Sequence, residues 1–391
     1  MSKFDFDKMT NRLGSGSVRW DDEGGVELPL WVADMDFEAC PDIVEALRRR
    51  VEHGIFGYAM PKDDYYDAVS DWHWRRHGVR YEKEWMIVVP GIVPAISAIL
   101  RATTQPGEGV LLLSPDYNCF YSSIRNMGCR AEESILKLRD GRFEIDFDDL
   151  EQRAAKDDVK VMLLCSPHNP TGRLWSRDEL SRIAEIALRH SLTVVEDQIH
   201  CELTKPGTQF IPLAALDSPI MERTAICTSA SKTFNIAGLQ NAQIVVPNPE
   251  LRSRIDRAVN IHEVCDVNPL GIEATKAAYL HGETWLKELR EYIWANYEAA
   301  KEYLTERHPQ MFIAPLEATY LMWADISWLT KDDEDFVSRL QQAQQVRLAP
   351  GCHYGSSGEG HLRINLATQR SRLMEAIRRL SQFIDTQDVK R

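Results

Sequence analysis

One lysine sits in a hydroxyl-rich turn, Thr228-Ser229-Ala230-Ser231-Lys232-Thr233-Phe234, and two other polar clusters precede it along the chain. Ser166-Pro167-His168-Asn169-Pro170-Thr171-Gly172 comes first, and Val194-Val195-Glu196-Asp197-Gln198-Ile199-His200 lies between. Each begins at the end of an apolar run. The chain thus offers, in order, an amide that can donate near an oxygen, a carboxylate that can hold a ring nitrogen protonated, and an amine that can condense with an aldehyde. A Ser-x-Ser-Lys string alone is weak, because short strings recur by chance. The ordered set of three carries the argument.

That set suits pyridoxal phosphate (PLP). Lys232 would form a Schiff base with the cofactor's aldehyde, Asp197 would hold the ring nitrogen, Asn169 would donate near the phenolic oxygen, and Ser229 would bond the phosphate. Gly91 and Ile92 follow the run Trp85 to Pro90 and open a helix, where free N–H groups can take an anion. Each residue has a plainer reading. Lys232 could be a surface lysine, Asp197 a helix cap and Asn169 a turn residue; the shared order of the motifs outweighs these.

The motifs need elements to hold them. Residues 159–165, 192–196 and 224–228 are short, β-branched-rich apolar runs, as expected of strands buried on both faces. Asp178 to His190 places Leu180, Ile183, Ile186, Ala187 and Leu188 near helical spacing, so strand, helix and strand form a right-handed parallel crossover. The fold class is α/β. In open sheets of this kind ligands bind beyond the carboxyl ends of the strands, where all three motifs begin.

Here the chain resembles the fold-type I PLP enzymes of the aminotransferase class I/II superfamily, over nearly its whole length. It is most similar to their carbon–sulfur lyase branch, of the cystathionine β-lyase and cystalysin type. Leu28-Pro29-Leu30-Trp31-Val32-Ala33-Asp34-Met35-Asp36-Phe37 resembles that branch's amino-terminal signature, and Phe56-Gly57-Tyr58 and Ser114-Pro115-Asp116-Tyr117 also fit it. Aminotransferases usually carry tyrosine three residues after the aspartate, whereas this chain has His200. Many also carry a phosphate-binding arginine eight residues after the lysine; here that position is Gln240, as in the lyase branch. Gln198 departs from the glutamate of many branch members.

The resemblance implies a large domain with a mostly parallel seven-stranded sheet between helices, and a smaller α+β domain built from both chain ends. It implies that Tyr117 stacks on the pyridine and His200 faces the cofactor's phenolic oxygen. Arg363 would fork onto the substrate α-carboxylate, with the Ala33 backbone N–H as a further donor to it. Tyr58 would reach the phosphate of a neighbouring subunit, making a homodimer with shared active sites. The implied reaction is β-elimination on L-cystathionine or related cysteine S-conjugates, giving pyruvate, ammonia and a thiol. An aminotransferase with a keto-acid acceptor is the alternative. A regulatory role through a protein partner is a minor one, since a bacterial relative in the branch also modulates a sugar regulon.

A chain of 391 residues is long for a single core. The division read from it is 46–286 for the large PLP-binding domain, with 1–45 and 287–391 forming the small one. Helical patterns fall at 62–77, 91–104, 249–308, 331–345 and 369–388, a helix starts near Pro41, and residues 318–325 and 360–366 read as strands. The formal net charge of −13, with no basic tract, opposes nucleic-acid binding. The apolar run Trp85 to Leu100 is broken by Pro90, Gly91 and Pro94, which excludes an ordinary membrane span, and Met1 to Asp7 has no signal-peptide character. A cytoplasmic location follows. The eight cysteines form no Cys-x-x-Cys pair and read as free thiols, and the histidines show no metal-ligand spacing, so no metal is expected.

Overall fold

The computed structural model describes residues 3–22, 25–261 and 266–387. Its centre is a seven-stranded sheet in the order Met86–Val89, Ala242–Val245, Thr224–Thr228, Thr193–Asp197, Val159–Cys165, Gly109–Ser114, Arg130–Ile135. Ala242–Val245 is antiparallel to both neighbours, and every other pairing is parallel. Side chains alternate between two cores with the period of two that a pleated strand imposes. Val110, Leu112, Val161, Leu163 and Val195 face the helices Ile92–Thr103 and Pro249–Asn260. Leu111, Leu113, Met162, Leu164 and Val194 face the helix Arg177–Arg189 on the other side.

The crossover between Val159–Cys165 and Thr193–Asp197 runs through that helix, as the apolar spacing indicates. Its start is fixed by a capping box: Ser176 Oγ accepts the Glu179 N–H, and Glu179 reaches back to the Ser176 N–H. The long helical pattern at 249–308 resolves into Pro249–Asn260, Pro269–His281 and Glu283–Arg307, while part of it, 262–265, lies outside the described residues. Asn248 and Asn268 cap the first two, each before a proline at the first helical position. Gly282 separates the last two, where a Cβ would sit 2.3 Å from the Phe234 ring.

A second sheet is antiparallel, in the order Phe312–Ile313, Leu321–Asp325, His361–Asn365, Ala349–Pro350. Leu28–Pro29 pairs in parallel with Val346–Arg347, joining the start of the chain to its last quarter. We propose the division 46–286 against 1–45 plus 287–391 on that pairing, although the helix Pro41–Glu52 packs on Pro269–His281 across the nearer boundary.

Candidate active site

The three motifs converge at the carboxyl ends of adjacent strands. Asp197 ends one strand, Asn169 follows Val159–Cys165 by a short loop, and Lys232 sits in the turn after Thr224–Thr228. They line one 220 Å³ cavity with Ala33, Gly91, Ile92, Tyr117, His200 and Ser231.

The Asn169 loop is held from several directions. The Ser166 N–H donates to the Asp197 carbonyl at 3.0 Å, and the Asn169 N–H donates to Cys165 Sγ at 3.4 Å. Gly172 turns the chain at φ +71°, where a Cβ would lie 2.9 Å from Leu316 Cδ1. Only glycine meets both demands.

Asp197 is buried and accepts the Ile199 N–H at 3.0 Å. Burial pushes its carboxyl up to about 7, although the Ile199 N–H and the Lys232 charge pull the other way. Lys232 Nζ donates to the Ala33 carbonyl at 2.5 Å. Desolvation, then the Arg363 charge, lowers its pKa. Burial also lowers the His200 imidazole to about 3, with Lys232 and Arg363 adding to the effect, so the ring is neutral near pH 7. Its Nδ1 is buried with no partner. Arg363 is buried too, and among the described residues no carboxylate pairs with it. Its Nη1 donates to Asn169 Oδ1 at 3.2 Å and its Nη2 to the Trp31 carbonyl at 2.9 Å, while Nε has no partner. A buried cation without an anion is costly, and a carboxylate would relieve it.

The Gly91 end is a helix start: Ile92 and Val93 offer free N–H groups, and Pro94 at the third position offers none. The structure places two expected donors differently. The Ser229 hydroxyl is outside the cavity wall, donating to the Asn241 carbonyl at 2.6 Å and accepting the Ser231 N–H at 3.1 Å; Ser231 lines the cavity instead. Ala33 presents its carbonyl, which accepts Lys232 Nζ and, at 3.0 Å, Tyr320 Oη. Tyr58 lies outside the cavity of its own chain and is 97% exposed.

Sequence reasoning missed the residues that position the wall. Asn235 Nδ2 donates to the Met35 and Phe37 carbonyls while its Oδ1 accepts the Met35 N–H, binding the lysine turn to the amino-terminal segment. Asn365 Nδ2 donates to the Val32 and Asp34 carbonyls. Their partners are main-chain atoms far away in sequence, so no local pattern announces them.

The residues present fit pyridoxal phosphate. A buried carboxylate of raised pKa and a lysine of lowered pKa line one cavity with a neutral histidine that has an unused ring nitrogen, and a helix start closes the far end.

The chain's likenesses agree with this geometry. Residues 27–380 match the family described as aminotransferase class I and II. Cystathionine β-lyase PatB of Bacillus subtilis is 38% identical over 96% of this chain and 98% of its own length. The structure of cystalysin from Treponema denticola, which contains a pyridoxal 5′-phosphate cofactor, superposes with a TM-score of 0.95 at 32% identity, covering 98% of this chain and 99% of that one. A PLP-bound putative aminotransferase from Clostridium difficile superposes with a TM-score of 0.94 at 35% identity, covering 97% of this chain and 100% of that one.

Proposed function

This chain belongs to the aminotransferase class I and II family, and we propose that it is a PLP-dependent carbon–sulfur β-lyase acting on L-cystathionine or related cysteine S-conjugates. The observation that carries the reading is the wall formed by the amino-terminal segment. The Trp31 carbonyl takes Arg363 and the Ala33 carbonyl takes Lys232, so the stretch that resembles the lyase branch touches both groups assigned to the substrate and the chemistry. The likeness to PatB supports the same choice.

Bound pyridoxal phosphate supplies an electron sink for the pair left when the α-proton departs. The chain's residues do the rest. Arg363, whose Nε has no partner, would hold the substrate α-carboxylate and orient the bonds at Cα. Lys232 Nζ would take the proton from Cα, and desolvation, by lowering its pKa, favours the neutral amine that a base needs. The Asp197 carboxylate would keep the ring nitrogen protonated and Tyr117 would pack on the ring, while Asn169 Nδ2 and neutral His200 would serve the phenolic oxygen. With a sulfur substituent on Cβ, the Cβ–S bond breaks and the sulfur leaves as a thiolate; hydrolysis of the remaining three-carbon fragment gives pyruvate and ammonia.

The same constellation serves transamination, and the likeness to a putative aminotransferase favours that as the second reading. Acceptor dependence separates them: a lyase turns over S-substituted cysteines with no keto acid, and an aminotransferase requires one.

Two features of assembly and place belong to the proposal. The exposed run Ile55, Phe56, Tyr58 and Met60 supports a homodimer in which Tyr58 reaches the partner's phosphate end. The seven described cysteines, none of them in a disulfide, support work in the reducing cytoplasm; Cys265 lies outside the described residues.

A further inference from the structure

One donor at the phosphate end has no role in the chemistry above. Asn241 lines the cavity beside Gly91, Ile92, Val93 and Ser231, and is 6% exposed. Its Oδ1 accepts from Tyr65 Oη at 2.7 Å, Thr275 Oγ1 at 2.9 Å and Gln243 Nε2 at 3.1 Å. Its main-chain carbonyl accepts the Ser229 hydroxyl. With Oδ1 taken by these three donors, Nδ2 is left buried with no acceptor. An amide N–H in that state is destabilising, and a ligand bringing acceptor oxygens would satisfy it.

The rest of that end is short of donors and of positive charge. Pro94 contributes no N–H, the Ser229 hydroxyl is committed elsewhere, and Gln240 is exposed. Among the described lining residues Lys232 is the one cation, and its amine is reserved for the aldehyde end. A phosphate seated here must be held largely by neutral donors.

We propose that Asn241 is a cofactor-holding residue whose Nδ2 donates to the phosphate of pyridoxal phosphate, where a cationic side chain would otherwise stand. The proposal rests on the cofactor reading above and adds a residue to it. The Tyr65, Thr275 and Gln243 side chains, from two helices and a strand, act as the brace that aims this amide.

The test compares pyridoxal phosphate with pyridoxal, which lacks the phosphate. Dissociation constants for both are measured on the apoprotein by the change in absorbance and fluorescence on binding, for wild type, Asn241→Asp and Asn241→Ala. Asn241→Asp puts a carboxylate against the phosphate and should weaken pyridoxal phosphate binding by at least about tenfold, with pyridoxal binding changed by less than about twofold. Asn241→Ala should show the same selectivity to a smaller degree, and keeps the test open should the aspartate variant not fold. Equal weakening of both ligands would mark Asn241 as a packing residue and overturn the proposal, as would no change in either. A wild-type apoprotein that bound neither would overturn the cofactor reading itself.

Discussion

Lys232 and Asp197 illustrate how burial sets chemistry at the scale of single residues. Lys232→Ala should lower lyase turnover by at least ~10²–10⁴-fold, the range for losing a positioned general base, while the variant keeps wild-type circular dichroism. Retained turnover would remove the residue from its role. The carboxylates give a pH signature in the cofactor-free chain. Burial raises both Asp197 and its neighbour Glu196 to about 7, above their ordinary 3.8 and 4.5. Between roughly pH 4 and 7 the folded chain therefore binds more protons than the unfolded one, and stability falls as pH rises through that window. Asp197→Asn should flatten the slope, as read from urea midpoints across it; an unchanged slope would place the protons elsewhere. At this scale Asn169, Asp197 and Lys232 stand out in the sequence because each follows an apolar run, and the structure brings them to one cavity. The sequence offers Ala33 as an N–H donor, whereas its carbonyl does the bonding, and Asn235 and Asn365 give no local signal. Gln198 gains an account only in three dimensions: its Nε2 donates to buried Glu196 at 2.9 Å, where a glutamate would set two carboxylates side by side.

Among the elements, the helix Asp63–His77 is tied to the loop that carries His200 by a buried charge cluster. Glu202 accepts from Trp72 Nε1 at 2.7 Å and Arg76 Nε at 2.8 Å, and His77 Nε2 lies 2.8 Å away. Burial alone would raise this carboxyl; His77 and Arg76 instead hold it well below the usual range. Glu202→Gln removes the anion and leaves partly buried Arg76 and buried His77 facing an amide. It should cost about 3–5 kcal/mol in urea unfolding, and a loss below about 1 kcal/mol would show the cluster to be replaceable. The central strands 159–165, 193–197 and 224–228 were legible because each is largely apolar, as burial on two faces favours. Helical spacing runs through 249–308 and marks Glu283 to His308 as one long amphipathic helix, but it does not locate the breaks before it. Asn248-Pro249, Asn268-Pro269 and Gly282 mark those breaks through capping and close packing, which periodicity does not register.

At the scale of the whole molecule, the run from Ile55 to Met60 stands out. Met60 is 76% exposed and Tyr58 almost wholly so, and neither lines the cavity of its own chain. Isolated exposed apolar residues are ordinary, but a contiguous patch marks a contact surface. Analytical ultracentrifugation should give twice the 44.7 kDa chain mass. Met60→Asp should shift the protein towards monomer and weaken pyridoxal phosphate retention together; monomers that keep full cofactor affinity would separate the two. The joining of chain start and chain end was open only to resemblance, since the pairing of Leu28–Pro29 with Val346–Arg347 spans most of the sequence.

The most direct test of the account is product release from L-cystathionine by the purified protein loaded with pyridoxal phosphate, with no keto acid present. Pyruvate and ammonia should accumulate steadily and in equal amounts. Absence of pyruvate from cystathionine and other cysteine S-conjugates, with amino transfer appearing once a keto acid is added, would contradict the lyase assignment and identify an aminotransferase.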